Sequence, residues 1–290
     1  MNTPAIFAGC VLVWGTTWLA ITFQLGPVAP ELSVSYRFAL AAAAIALWCR
    51  VRGLPMRFAA HEHAALAAMG VAMYGVSYVC VYHAERHVPS GLVAIGYSAS
   101  PLAAMLGLRF FFGQPMTARM AAGSILGIAG IALIYWPELA RPAARGDAAI
   151  GALLTGAAVL VSTCGGLLAH RNQLRRLTGW PTMAWSMGYG AAATFLIAAA
   201  LGRAITVELG APYLLSLAYL ALFGSVLAFA GWLTLVERIG VARASYVGVM
   251  APVAALFVST AFEGFEWHLL TAAGVAVSLA GNALVLAGRR

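Results

Sequence analysis

Tyr74, Tyr78 and Tyr82 recur at every fourth residue, so in a helix they stack along one face. A tyrosine hydroxyl needs a partner that lipid does not offer at mid-depth. A wet cavity offers one, and the ring faces then suit an apolar or ring-bearing solute. Two prolines, Pro101 and Pro252, stand inside long apolar runs. Proline in a helix interior deprives the carbonyl four residues back of its donor. Those carbonyls belong to Tyr97 and Gly248. Lining a cavity, a loosened carbonyl is an acceptor for an ammonium group, with Ser98 and Ser100 beside the first. The competing reading of both prolines is a structural kink.

Arg37 is the single arginine well inside an apolar run. An intramembrane charge marks a functional site by default. Its guanidinium would hold a substrate carboxylate, or pair with Glu31, Glu85 or Glu263 as part of a gate or scaffold. Trp14, Trp185, Trp232 and Tyr246 are further aromatics inside apolar runs, suited to a cavity wall or to packing. The candidate substrate-binding set is therefore Tyr78, Tyr82, Tyr97, Ser98, Trp185, Tyr246, Trp14 and Arg37. Pro101 and Pro252 are the candidate kinks. A zwitterionic amino acid would set its ammonium on carbonyls and hydroxyls. Its carboxylate would take donors from hydroxyls, a Trp N–H or Arg37.

The nine acids, among them Glu31, Glu85, Asp147 and Glu263, all fall at run ends or between runs. A carboxylate-driven proton antiport is not expected from that pattern, and the transport it favours is facilitative. His83 and His170, near run ends, could carry protons, and His83 is the candidate proton site. Cys10, Cys49, Cys80 and Cys164 are unpaired by spacing and read as small apolar residues. No metal or cofactor site is expected. Neither H-E-x-x-H nor G-x-S-x-G occurs, and His61 and His63 are spaced badly for one helix face. A membrane-embedded enzyme is therefore the distant alternative to a carrier, and a proton-coupled drug or metabolite exporter the nearer one.

The elements that must position these residues follow from composition. Of 290 residues, 62% are hydrophobic and 9% charged, against about 25% charged in a soluble domain. Lipid must be the solvent for most of the chain. Ten apolar runs are long enough to span, at 4–24, 31–49, 64–84, 88–112, 119–137, 148–170, 182–201, 213–236, 242–262 and 267–287. With the N-terminus inside, twelve arginines fall in inner segments and four in outer ones. That positive-inside bias makes both termini cytoplasmic. The basic excess, +8 overall, thus reads as topology signal and not as a nucleic-acid surface.

A shift of 151 positions lays Pro101 on Pro252, Phe111 on Phe262, Gly113 on Gly264, Gly123 on Gly274 and Gly130 on Gly281. Five spans per half is odd, so the halves, 1–147 and 148–290, face opposite ways. The expected fold is an all-α integral membrane protein of ten helices in two inverted five-helix repeats, an architecture common in secondary transporters. Gly123-x-x-x-Gly127 and Gly274-x-x-x-Ser278 suit close helix packing. Packing of the halves is the simpler use for them, so a monomer is expected, with the bilayer and a small solute as its partners.

The chain resembles the drug/metabolite transporter superfamily in its ten-helix EamA branch. The matching residues are Trp14-Gly15-Thr16-Thr17, Arg37-Phe38, the proline-bearing fourth and ninth spans and the glycine-rich fifth and tenth. Within that branch it is most similar to bacterial aromatic-amino-acid exporters of the YddG type. The resemblance implies export of amino acids or other small metabolites by alternating access, in a bacterial inner membrane. The chain departs from many relatives at Gly113-Gln114, where they carry Gly-Glu, and at Thr22 and Gln24, where they carry a lysine.

Overall fold

The computed structural model describes residues 2–140 and 145–287. Arg141, Arg289 and Arg290, part of the charge bias, lie outside the described residues. Among those described there is no strand. Eight helices are long and apolar enough to cross a membrane. They are α1 (Thr3–Thr22), α2 (Pro30–Val51), α3 (Ala60–Ala84), α4 (Ser90–Phe112), α5 (Ala118–Ala140), α6 (Gly146–Leu174), α7 (Trp180–Ala200) and α8 (Ala211–Gly240). Two shorter apolar helices follow, α9 (Tyr246–Phe262) and α10 (Leu269–Val285).

Local chemistry sets the ends. Asn2 caps α1 by accepting the Ala5 N–H at 3.0 Å. Pro30 and Pro181 open α2 and α7 in the first turn, where a missing N–H costs nothing. α3 begins at Ala60, earlier than its apolar run, because the Glu62 carboxylate accepts the Ala59 N–H at 2.6 Å. α8 ends at Gly240, which leaves helical geometry at φ 80°, ψ 159°, and a turn at Ser245 precedes α9. Gly113 and Gly264, the glycines matched by the 151-residue shift, follow α4 and α9 at φ +65° and +69°, the left-handed turn that favours glycine.

Three spans are irregular inside. α3 contains a π-helical segment, Val71–Val76, and α8 another, Tyr219–Leu227. Each is the third helix of its half. α4 is interrupted between Tyr97 and Ser100, ahead of Pro101. π segments and breaks of this kind free backbone groups and often attend functional sites.

α5 packs along α10, and α2 along α7. α1 packs on α9 and α8, while α6 packs on α4 and α3. Exchanging the first five helices for the last five leaves this set of neighbours unchanged. At the α5–α10 seam a Cβ on Gly130 would lie 2.6 Å from the Gly274 carbonyl oxygen, and one on Gly123 2.6 Å from that of Gly281. Such closeness admits only glycine. Outward, Leu12, Phe110, Ile125, Leu153, Leu196 and Phe257 are exposed. Inward, Ser33, Ser77, Ser186, Thr194, Ser225 and Ser259 are buried. An apolar coat over an interior with small polar groups suits a lipid solvent.

Candidate functional site

A cavity of about 410 Å³ lies in the middle of the bundle, within the range of small-molecule sites. α1 supplies Trp14, Thr17 and Trp18, α3 supplies Met73, Tyr74 and Tyr78, and α4 supplies Ala94, Tyr97, Ser98, Ser100 and Pro101. From the second half come Ser162 of α6, Phe229 and Trp232 of α8, and Gly248, Ala251 and Pro252 of α9, with Ser245 just before it. Each half gives its first, third and fourth helix. No charged side chain stands among these lining residues.

Seven of the lining residues are aromatic, and the rings brace one another. Trp14 meets Phe229 edge-on at 5.4 Å, Trp18 meets Tyr97 at 5.5 Å, and Tyr74 meets Phe229 at 6.3 Å. Phe38, behind the wall, packs against Tyr78 at 4.8 Å. Such edge-to-face pairs add to burial and fix ring orientation. The Trp14 indole N–H donates to the Gly224 carbonyl at 3.1 Å, a backbone group within the π segment of α8. Trp14 therefore shapes the wall, and its N–H is not the donor for a carboxylate that its residue type suggests. The Tyr97 hydroxyl is held by Ser77 at 3.1 Å and by Ser162.

At the break in α4, the Ser100 hydroxyl donates to the Tyr97 carbonyl at 2.7 Å, and the Ser98 hydroxyl to the Ile95 carbonyl at 2.6 Å. The carbonyl expected to be loosened by Pro101 thus has a local donor. Its counterpart at Gly248 has none from Pro252, which lacks an N–H. Gly248 and Pro252 both line the cavity. That carbonyl is the stronger candidate acceptor.

Residues 4–136 and 149–287 match the EamA-like transporter family. The chain belongs to that family. It is 28% identical, over 95% of its length and 90% of the relative's, to a "probable terminal-alkyne amino-acid exporter" of Streptantibioticus cattleyicolor. It is 23% identical, over 85% and 82%, to a "probable amino-acid metabolite efflux pump" of Escherichia coli K12. It is 25% identical, over 92% and 86%, to the inner membrane transporter YedA of the same strain. A solved crystal structure shares the fold with a TM-score of 0.70 at 19% identity, covering 99% of this chain and 98% of that one. The protein is a multi-pass membrane transporter of the EamA type.

Five candidates stand outside the cavity of this EamA transporter. Tyr82 is fully buried one turn beyond Tyr78, and its hydroxyl donates to Gln24 at 2.8 Å. Trp185 donates to the Met56 carbonyl at 2.9 Å and stacks on Tyr189, pinning α7 to the α2–α3 connection. Tyr246 is turned outward, 36% exposed. His83 contacts the Glu31 carboxylate through Nε2 at 2.9 Å. Arg37 also lies off the lining. Its guanidinium covers the Tyr78 ring at 4.7 Å and its Nε donates to Ser225 at 3.3 Å. It holds a cavity wall from behind, and of the three acids offered as its partner Glu31 is engaged by His83.

Trp18, Phe229 and Thr17 are among the wall residues that sequence reasoning passed over. Thr17 was within reach, as part of the Trp14-Gly15-Thr16-Thr17 motif. Trp18 and Phe229 carry no mark that separates them from lipid-facing aromatics. Cys10, Cys49, Cys80 and Cys164 are free thiols.

Proposed function

We propose that the chain exports small neutral or zwitterionic solutes, above all amino acids with aromatic or apolar side chains, by alternating access around the central cavity. One observation carries the reading: the cavity is walled by the equivalent three helices of each half, with aromatic rings and hydroxyls and no charge. A net-charged solute would enter without a counter-charge, at a large desolvation cost. A ring finds Tyr78, Trp18 and Phe229; an ammonium finds the Gly248 carbonyl and the Ser245 and Thr17 hydroxyls. The amino-acid exporters among the relatives support the same class.

The reading includes ten spans, both termini cytoplasmic, and inverted halves at 1–147 and 148–290. α9 is 17 residues long, about 26 Å at 1.5 Å per residue, close to a hydrocarbon core of about 30 Å. Exchangeable helix neighbours and the reciprocal glycine seam support the inverted repeat. A monomer in a bacterial inner membrane completes the proposal, with the solute's own gradient as the drive.

Efflux of a panel of labelled amino acids and organic cations and anions, from cells with and without the protein, tests it. Aromatic and apolar amino acids should leave faster with the protein. A panel in which only charged solutes respond would refute it.

A further inference from the structure

The cavity reaches Ser245 and Trp232 toward one end of the bundle, and stops at Trp18, Tyr78 and Ala94 toward the other. That other end is closed by buried polar groups. Gln24, Glu31, Arg37, Tyr82, Glu85 and Ser90 are all buried there. Glu263, at the C-terminal cap of α9, accepts hydrogen bonds from both the N–H and the hydroxyl of Ser90, at the start of α4. This contact ties the second half to the first across the closed end.

Glu85 ends α3 behind that tie, 8% exposed, and neither of its carboxylate oxygens has a hydrogen-bond partner. A buried carboxylate without donors is strongly disfavoured. A protonated carboxyl costs far less there. The groups around it are few and known. Arg37 of α2 and Glu263 beyond α9 act on it through their charge, and Tyr82 precedes it by less than a turn. Glu31 of α2 is engaged by His83, with Arg203 beyond α7 at 4.0 Å, and Asp147 of α6 is engaged by His87 at 2.8 Å. Arg86 is exposed, and Tyr213 of α8 bonds Ser33.

We propose that Glu85 is a proton-binding site in the outer seal, holding a proton while the seal is closed and releasing it to the outer solution when the seal opens. The proposal rests on the alternating-access reading and on its orientation. Opening parts Glu263 from Ser90 and lets water reach both carboxyls. The balance is one carboxyl O–H broken, one carboxylate formed, and one proton given to the same side from which it is regained on closing. No proton crosses the membrane, so the site gates transport without driving it. Burial pushes the closed-state Glu85 carboxyl well above the ordinary carboxylate range; the Glu263 charge pushes the same way and Arg37 opposes. The closed state therefore holds one more proton than the open state over the window between the ordinary value and the raised one. Raising outer pH through that window favours opening, by at most about tenfold per unit for a single proton.

The test reads opening directly and needs no known solute. Ser98→Cys places a thiol in the cavity wall, in a chain whose Cys80 and Cys164 are serine. Its rate of modification by a membrane-impermeant thiol reagent is measured from outside, at outer pH 6 to 8 and fixed inner pH. The rate is divided by that of the same chain carrying Glu85→Gln, which cancels the thiol's own titration. The ratio should rise several-fold with outer pH and ignore inner pH. A flat ratio, or one that follows inner pH, overturns the proposal. If the Glu85→Gln chain does not reach the membrane, Glu263→Gln serves, and its midpoint must move to lower pH; an unmoved midpoint overturns it equally. Failure of the amino-acid efflux panel with a rising ratio would leave the proton site standing and remove only the substrate assignment.

Discussion

Gly130 and Gly274 meet backbone to backbone, and the 151-residue shift exchanges that contact with the one between Gly123 and Gly281. A Cβ at Gly274 would stand 2.6 Å from the Gly130 carbonyl, and a Cβ at Gly281 2.5 Å from that of Gly123. Overpacking of this kind costs about 1–3 kcal/mol per site. Gly130→Ala and Gly281→Ala, equivalent under the shift, should each lower the thermal unfolding midpoint in detergent by a similar amount. Gly9→Ala, where nothing lies within 4 Å, should not lower it. A midpoint that falls for one seam glycine and not for its equivalent would speak against the two-fold seam.

Trp14 bonds the Gly224 carbonyl inside the α8 π segment, so Trp14→Phe keeps an aromatic wall and removes the donor. A lost hydrogen bond to a buried carbonyl costs about 1–3 kcal/mol. Efflux should fall several-fold at normal surface expression. Unchanged efflux would show that the π segment holds its shape without Trp14.

Much of this site was legible in the sequence, and what was not has physical causes. Tyr78, Tyr97, Ser98, Pro101, Pro252 and Trp14 were marked by polarity or by proline within apolar runs, and the structure places all six on one cavity. Spacing puts Tyr82 on the same face as Tyr78, but not at the same depth, and one turn moves it from the wall to a buried contact with Gln24. The indole of Trp185 is taken by the Met56 carbonyl, a partner 129 positions away. The π segments of α3 and α8 have no sequence signature. The apolar runs were legible from pattern alone, because lipid forces every span to satisfy its own backbone, and they recur as eight long apolar helices and two shorter ones. The helix ends shifted where a side chain decided them, as Glu62 does for α3.

The break in α4 is held twice, by Pro101 and by the Ser100 hydroxyl on the Tyr97 carbonyl. Pro101→Ala alone should lower efflux less than Pro101→Ala with Ser100→Ala, which frees α4 to straighten. Equal effects of the single and double variants would assign the break to proline only.

Cysteines placed at Arg86, after α3, and at Arg175, after α6, should react with an impermeant reagent from opposite faces of the membrane. Reaction of both from one face would remove the inverted topology.

Counterflow in proteoliposomes tests the central claim most directly, because it requires a saturable site that faces each side in turn. Vesicles are loaded with an unlabelled aromatic amino acid and diluted into a trace of the labelled one. The account predicts a transient, saturable accumulation of label, reduced several-fold by Tyr78→Ala, since one lost contact is worth on the order of 1 kcal/mol. No accumulation by the folded protein, or full accumulation by a chain carrying both Tyr78→Ala and Pro101→Ala, would contradict it.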